Sequence, residues 1–321
     1  MIMASLLILA YNEDETIEGL LGNLYTHFDN IILLDDNSSD LTYKKCQEYI
    51  KKENFIYHKN KKNLGAGKSF EVGLSIFNKL DSDYLVKIDG DNQFNIKDIL
   101  FLSQKGQDEN FDFIKCDRFW KNGIKGKIPF VRYLGNALAS LLIKLTTGNW
   151  KINDPLNGLF FISKKITSNF TVKKLFKRYG YPFYLIYYVI NISKVTKLKI
   201  GQYHNVVTYG DEKSQLKANT MLFKLLYFTL VSYYKKIKTK LRFSSLQFSA
   251  LIDIISQLFL FLSLYSLIRI LLILDNLPKG SWLFLSLISL LVSIILLFTS
   301  QTIENDIETN NLVKIKNYEF N

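Results

Sequence analysis

Tyr84-Leu85-Val86-Lys87-Ile88-Asp89-Gly90-Asp91-Asn92-Gln93 decides the fold. Tyr84 to Ile88 has the length and apolar character of a buried strand, and two carboxylates follow it at once. Carboxylates at a strand end can hold Mg²⁺ or Mn²⁺, whose other positions go to phosphate oxygens and water. Gln93 adds an oxygen ligand. Taken alone, an Asp-x-Asp string is more often a solvated turn, so its surroundings decide. The same grammar occurs twice upstream. Met3 to Leu9 is a continuous apolar run ending in Tyr11-Asn12-Glu13, and Asn30 to Leu34 ends in Asp35-Asp36.

Helical spacing fills the gaps. Glu15 to Phe28 carries Ile17, Leu20, Leu21 and Leu24 on one face. Asp40 reads as the N-cap of the next helix, with Tyr43, Cys46 and Ile50 inward. Phe55 to His58 is a short strand, and a turn with Gly65 and Gly67 leads into a helix over Ser69 to Leu80. This alternation predicts a doubly wound α/β domain with its acidic strand ends gathered at one sheet edge, where such folds bind nucleotides. Further on, Phe111 to Cys116 reads as a strand and Asp117 to Pro129 as a basic, glycine-containing loop. Pro129 to Thr147 reads as a helix, Asp154 to Ile162 as a turn entering a strand, Pro182 to Ser193 as a helix, and Lys197 to Val207 as a late strand.

The C-terminal third changes character. Met221 to Phe243 mixes Lys224, Lys235, Lys236, Lys238, Lys240 and Arg242 with Phe223, Leu226, Tyr227 and Leu230, the composition of a helix lying flat in a headgroup layer. A packed soluble helix is the competing reading. Ser281 to Ser300 is uncharged, and Ile254 to Leu274 carries only Arg269, near enough to its end to snorkel. With Asp275 to Gly280 as a short loop, these segments predict a transmembrane hairpin. The basic cluster before it predicts a cytoplasmic catalytic domain and cytoplasmic termini. The expected boundaries are 1–220 for the α/β domain, 221–245 for the interfacial helix, 246–300 for the hairpin and 301–321 for a cytoplasmic tail.

Composition narrows the rest. The formal charge of +12 fits attraction to anionic lipid or phosphate and equally fits a compositional bias toward Lys, Asn and Ile. No nucleic-acid-binding signature accompanies it. The apolar N-terminus lacks the basic flank of a signal peptide. Cys46 and Cys116 match no metal spacing and suggest a reducing compartment, and His27, His58 and His204 form no ligand set.

The motifs together resemble a family 2 glycosyltransferase of the GT-A fold, a Rossmann-like nucleotide-diphospho-sugar transferase. The matching segments are Leu9 to Glu15, Leu34 to Thr42, Asn63 to Ser69, Asp89 to Gln93 and Asp154-Pro-Leu-Asn-Gly158, in the family's order across residues 1 to about 215. The chain is most similar to the dolichyl-phosphate mannosyltransferase and polyprenyl-phosphate sugar transferase branch. That resemblance implies donor contacts from Ala10, Tyr11, Glu13 (to the ribose), Asp36 (to the base), Gly65 and Lys68. It implies a metal site of Asp89, Asp91 and Gln93, with Asp89 also facing the sugar. It implies acceptor-phosphate contacts from Arg118 and Arg132, with Lys213 and Ser214 in the polar loop before the membrane region. Lys121, Lys125 and Lys127 add positive potential or form a solvated loop.

Two departures stand out. Leu9 replaces a proline common among relatives, and Tyr181 to Tyr188 lacks the acidic residue many relatives carry there. Transfer to a sugar hydroxyl needs a carboxylate base, whereas a phosphate acceptor is already anionic at neutral pH. The gap therefore tilts the reading toward lipid phosphate as the nucleophile, and the resemblance implies inverting transfer from a UDP- or GDP-linked sugar to polyprenyl phosphate. Asp154 remains a candidate base. The alternatives are transfer to a hydroxyl of a lipid-linked glycan in surface polysaccharide assembly, or a non-catalytic nucleotide-binding membrane adaptor. Pairing of membrane helices would allow a homo-oligomer.

Overall fold

The computed structural model describes residues 4–120, 123–126, 128–208, 218–242, 246–272, 279–307 and 312–314. Its strands are β1 (Ala4–Ala10), β2 (Asn30–Asp35), β3 (Phe55–Lys59), β4 (Tyr84–Asp89), β5 (Phe113–Asp117), β6 (Ile124–Lys125), β7 (Phe160–Ser163), β8 (Ile200–His204), β9 (Val207–Thr208) and β10 (Leu312–Lys314). Its helices are α1 (Ile17–Leu24), α2 (Thr42–Lys45), α3 (Gln47–Ile50), α4 (Ala66–Phe77), α5 (Ile96–Asp108), α6 (Phe130–Thr147), α7 (Lys164–Thr167), α8 (Tyr181–Ser193), α9 (Ala218–Lys240), α10 (Gln247–Leu272) and α11 (Lys279–Ile307).

Eight strands form one sheet in the order β10-β8-β5-β7-β4-β1-β2-β3. Every residue of β1 is buried, as expected of a strand covered on both faces. On one face Leu6, Ile8, Ile31, Leu33, Val86 and Ile88 pack with Leu20 and Leu24 of α1 and Ile99 and Leu102 of α5. Phe70, Leu74 and Phe77 are the buried apolar residues of α4, whose Gly73 sits directly over Leu7. β1 runs parallel to both β2 and β4, so the carboxyl ends of these three strands share one edge. β7 is antiparallel to β4 and β5 and carries the Asp154 to Gly158 turn to that edge.

Among the described residues the expected strands and helices of the α/β domain are present, with some differences. Tyr43 is 47% exposed, because α2 is a single turn and turns only Thr42 and the following Cys46 inward. α4 begins at Ala66, three residues early, which places Gly67 and Lys68 inside its first turn. α11 continues to Ile307 past the expected span, and Leu312–Lys314 pairs in parallel with β8 where a tail was expected.

The chain divides into two compact units, one ending at Leu226 and including β10, the other starting at Tyr227. The division falls within α9. In the second unit, α10 and α11 are long and apolar enough to cross a membrane, with mean hydropathy of 2.0 and 2.6 over their candidate spans. At 26 residues α10 is about 39 Å long, ample for a hydrocarbon layer of about 30 Å. The two helices meet along serines at every seventh position: Ser249 with Ser300 (3.1 Å), Ser256 with Ser293 (3.3 Å) and Ser263 with Ser286 (3.2 Å). Small residues let the backbones approach, and their hydroxyls bond across the gap. Leucine, isoleucine and phenylalanine face outward, as at Leu258, Phe261, Leu271, Phe284, Leu287 and Ile295.

Candidate active site

Backbone and side-chain bonds tie the strand ends together. Asp36 N–H donates to Ala10 O (2.9 Å), Gly90 N–H to Leu9 O (2.9 Å) and Asn60 N–H to Asp35 O (2.9 Å). The loops after β1 and β2 are laced to one another. Asn12, in the left-handed region at φ 57°, donates its N–H to Ser38 Oγ and accepts from Ser39 N–H, both at 2.9 Å. Glu13 N–H donates to Thr42 Oγ1 at 2.9 Å. This scaffold bounds a cleft of about 460 Å³ whose walls include Ala10, Tyr11, Glu13, Asp36, Gly65, Asp89 and Asp91. Three acidic clusters far apart in sequence thus face one space. From the Asp35-Asp36 pair only Asp36 reaches it. Asp35 is fully buried and accepts from Ser38 N–H (2.6 Å) and the Tyr57 hydroxyl.

Each candidate has a defined place. The Asp36 carboxylate accepts from Asn60 Nδ2 (2.9 Å), Leu64 N–H (2.8 Å) and Gly65 N–H (2.7 Å), so it also anchors the loop entering α4. Gly65 has φ 88°, and a side chain there would strike Arg178. At Gly67 a Cβ would collide with Phe176 O. Gly65 is part of the cleft wall, and the two glycines also admit the backbone of Phe176 to Arg178, whose carbonyls accept from Gly67 N–H (3.1 Å) and Lys68 N–H (2.7 Å). Lys68 is corrected in turn: its ammonium pairs with Glu71 at 2.7 Å and is not part of the cleft wall.

Asp89 and Asp91 both line the cleft. Asp89 is paired with the fully buried Lys87, and Asp91 accepts from Gln93 N–H at 3.2 Å. Gln93 is outside the cleft wall; its carbonyl accepts from Thr208 N–H at 3.0 Å beside the Phe94–Val207 bridge. Among the described residues no three His, Cys, Asp or Glu side chains converge as a ligand set. Two hard carboxylate oxygen donors at a strand end still suit a divalent cation that draws further ligands from a diphosphate.

Asp154 and Arg118 depart furthest from expectation. Asp154 is fully buried and accepts from Arg118 Nε (2.9 Å), Arg118 Nη2 (2.9 Å), Arg118 N–H (3.1 Å) and Asn157 Nδ2 (3.1 Å). Burial pushes its carboxyl up, but the charges of Arg118 and Lys115, with the Arg118 hydrogen bonds, outweigh burial and hold it below the usual carboxylate range. A carboxylate that is buried, doubly bonded to a guanidinium and absent from the cleft wall is a poor proton acceptor, so Asp154 as a base is corrected to a structural role. The same pair engages Arg118, whose side chain is only 7% exposed, and removes it from the expected contact with an acceptor phosphate. Arg132 lies in the first turn of α6, partly exposed and outside the cleft wall. Lys213, Ser214, Lys121 and Lys127 lie outside the described residues.

The cleft contains residues that the sequence reading missed. Arg178 and Tyr179 line it, bringing an exposed guanidinium and an aromatic ring near the four carboxylates. They come from the loop before α8, which carries no motif of its own. At Gly158 a Cβ would collide with Asp89 Oδ2, so the Asp154 to Gly158 turn packs directly on the candidate metal carboxylate.

Comparison with known proteins finds a family model, sequence relatives and solved structures of similar fold. The model named Glycosyl transferase family 2 matches residues 5–169. The UDP-N-acetylglucosamine–dolichyl-phosphate N-acetylglucosaminyltransferase of Methanococcus voltae is 29% identical over 72% of this chain and 96% of its own length. The cholesterol galactosyltransferase of Borreliella burgdorferi is 25% identical over 68% of this chain and 66% of its own. Among solved structures, glucosyl-3-phosphoglycerate synthase from Mycobacterium tuberculosis, in complex with Mn²⁺, UDP-glucose and phosphoglyceric acid, superposes with a TM-score of 0.53 at 18% identity, covering 70% of this chain and 79% of that one.

Proposed function

This chain belongs to glycosyl transferase family 2, and from that premise we propose that it is a membrane-bound enzyme transferring a sugar from a UDP-linked donor to a polyprenyl phosphate. The observation that carries the reading is the single cleft walled by Glu13, Asp36, Asp89, Asp91 and Arg178. Carboxylates accept from ribose hydroxyls and base N–H groups, and a guanidinium suits a diphosphate. Glu13 and Asp36 would orient the nucleoside, and Arg178 would contact the diphosphate. A divalent cation held by Asp89 and Asp91 would neutralise charge developing on the departing diphosphate. Mn²⁺ in the mycobacterial complex favours Mn²⁺ over Mg²⁺, and the UDP donors of both that protein and the Methanococcus relative favour UDP over GDP.

The acceptor assignment rests on the two expected positions for a base and on the relative. Asp154 is engaged by Arg118, and the first turns of α8, Tyr181 to Ile186, carry no acid. Lipid phosphate needs no deprotonation at neutral pH. The Methanococcus enzyme, by its name, uses a dolichyl phosphate. In-line attack on the anomeric carbon would invert its configuration.

The membrane arrangement supports the same reading. α9 exposes Tyr227, Leu230 and Tyr234 alongside Lys235 and Lys238, a face suited to an anionic headgroup layer. This basic helix precedes α10, which favours a cytoplasmic catalytic unit.

Labelled UDP-sugars incubated with the enzyme and polyprenyl phosphate, with and without chelator, test the proposal. A chelator-sensitive, mild-acid-labile glycolipid supports it. A glycolipid stable to mild acid would favour the second reading, transfer to a hydroxyl, which the resemblance to a cholesterol galactosyltransferase motivates. No product with any donor and acceptor would defeat both.

A further inference from the structure

Lys87 is a fully buried lysine beside a cleft carboxylate. It lies in the middle of β4, in the interior of the sheet, and is 0% exposed. Residues two apart on a strand share a face, so Lys87 and Asp89 point the same way. The Lys87 ammonium pairs with Asp89 Oδ1 and stands 5.4 Å from the centre of the buried Tyr181 ring. On the other side, a Cβ at Gly158 would collide with Asp89 Oδ2 and approach Lys87 Nζ to 3.3 Å. One candidate metal carboxylate is therefore held by a cation that the fold supplies.

A divalent ion arriving at Asp89 and Asp91 meets this positive charge as well as the two negative ones. Among the described residues no three acidic or imidazole side chains converge as a ligand set, and the other cleft carboxylates are already bonded, Glu13 by the Thr16 hydroxyl and Asp36 by Asn60, Leu64 N–H and Gly65 N–H. A nucleoside diphosphate supplies what is missing, namely hard oxygen ligands and negative charge. We propose that Lys87 is a resident counter-cation of Asp89, which keeps the nucleotide-free protein from retaining a divalent ion and so makes metal enter together with the diphosphate. The proposal rests on the reading of the cleft as a nucleotide-sugar site. Lys87 acts through Asp89 and is a positioning residue.

The test is Mn²⁺ binding to the full-length protein in detergent, followed by the electron paramagnetic resonance signal of free Mn²⁺, without nucleotide and with UDP or GDP. The wild type should hold Mn²⁺ at least about tenfold more tightly with nucleotide than without. Lys87→Met should tighten nucleotide-free Mn²⁺ binding by about tenfold or more, since a unit charge a few ångströms away is removed. Lys87→Arg, which keeps the charge, should behave as the wild type. A lysine that merely braced Asp89 would give the opposite sign, with Lys87→Met binding Mn²⁺ more weakly. Equal wild-type affinity with and without nucleotide, or no gain in Lys87→Met, overturns the proposal. The wild-type comparison can overturn the proposal even if Lys87→Met does not fold, and Lys87→Gln then serves as the second neutral variant. If neither UDP nor GDP binds, with or without Mn²⁺, the nucleotide reading of the cleft fails, and the proposal with it.

Discussion

Asp154 and Arg118 bond twice through their side chains, Nε to Oδ2 and Nη2 to Oδ1, each at 2.9 Å and both out of solvent. The pair joins the residue that follows β5 to the turn that ends at Gly158 beside Asp89. Removing one partner of such a buried pair strands the other charge. Asp154→Asn should therefore destabilise the protein by about 3–5 kcal/mol, seen as a fall in Tm of about 10 °C. Because the folded carboxyl titrates below its ordinary value of 3.8, the unfolded chain takes up a proton first as pH falls. The stabilisation is thus complete above that ordinary value and is lost as pH drops through the folded one. The Tm deficit of Asp154→Asn should stay constant between about pH 5 and 8 and narrow below about pH 4. A deficit that grows toward acid pH would contradict the ion pair's role.

Asp91 carries a sharper expectation for chemistry. It lines the cleft and lies outside the Lys87 pair. Asp91→Asn should keep the fold, since the residue sits in a turn, is only partly buried, and the amide retains an oxygen to accept from Gln93 N–H, and should lower sugar transfer by about 100-fold or more through lost stabilisation of the leaving diphosphate. Radiolabelled transfer to lipid at saturating donor measures it. Unchanged transfer would remove metal-assisted chemistry from this cleft.

Gly158 tests how tightly Asp89 is packed. Any Cβ there meets Asp89 Oδ2, so Gly158→Ala must displace the carboxylate or the turn. A small overpacking of this kind costs about 1–3 kcal/mol. The expected outcome is a modest loss of Tm with a disproportionate fall in kcat, because the displaced group is the carboxylate proposed to hold the metal beside the donor. A variant with wild-type kcat would mean that the carboxylate position is not critical.

The sequence made legible what is local and left obscure what depends on distant contacts. Buried strands such as Ala4–Ala10 and Tyr84–Asp89 read directly from apolar runs ending in acids, and their convergence followed from the βαβ alternation. The antiparallel direction of β7 was not legible, since a four-residue strand states no partner. Arg178 and Tyr179 are brought to the cleft by a segment, Phe176 to Arg178, that packs on Gly65 and Gly67, a contact between stretches with no shared pattern. Asp154 and Arg118 each resembled a reacting group, and only their pairing in space shows that they satisfy one another. The serine heptads of α10 and α11 were hidden for a similar reason. Hydropathy scores serine as neutral, and the repeat matters only once two helices are aligned.

Within the second unit, Lys240 Nζ lies 2.7 Å from Asp253 and 3.0 Å from Glu304, donates to Ser249 Oγ at 2.9 Å, and is 1% exposed. Lys236 pairs with the same Glu304 at 2.6 Å, and the Tyr233 hydroxyl donates to Asp253 at 2.9 Å. Two lysines of α9 thus meet one acid from each helix of the hairpin. Such a cluster is neutral as a whole and costly when incomplete. Lys240→Met should destabilise this unit by about 3–5 kcal/mol, because Asp253 and Glu304 lose a shared cation. Replacing lysine and aspartate together, as Lys240→Met with Asp253→Leu, should recover much of that loss, since an apolar pair of similar volume carries no desolvation penalty. A single serine of the zipper, Ser256→Ala, should cost only about 0.6 kcal/mol, the scale of interhelical hydrogen bonds in membranes. Unfolding of the detergent-solubilised protein in increasing SDS ranks the three. If Lys240→Met proves no less stable than Ser256→Ala, the charges are solvated in the working protein and do not hold α9 to the hairpin.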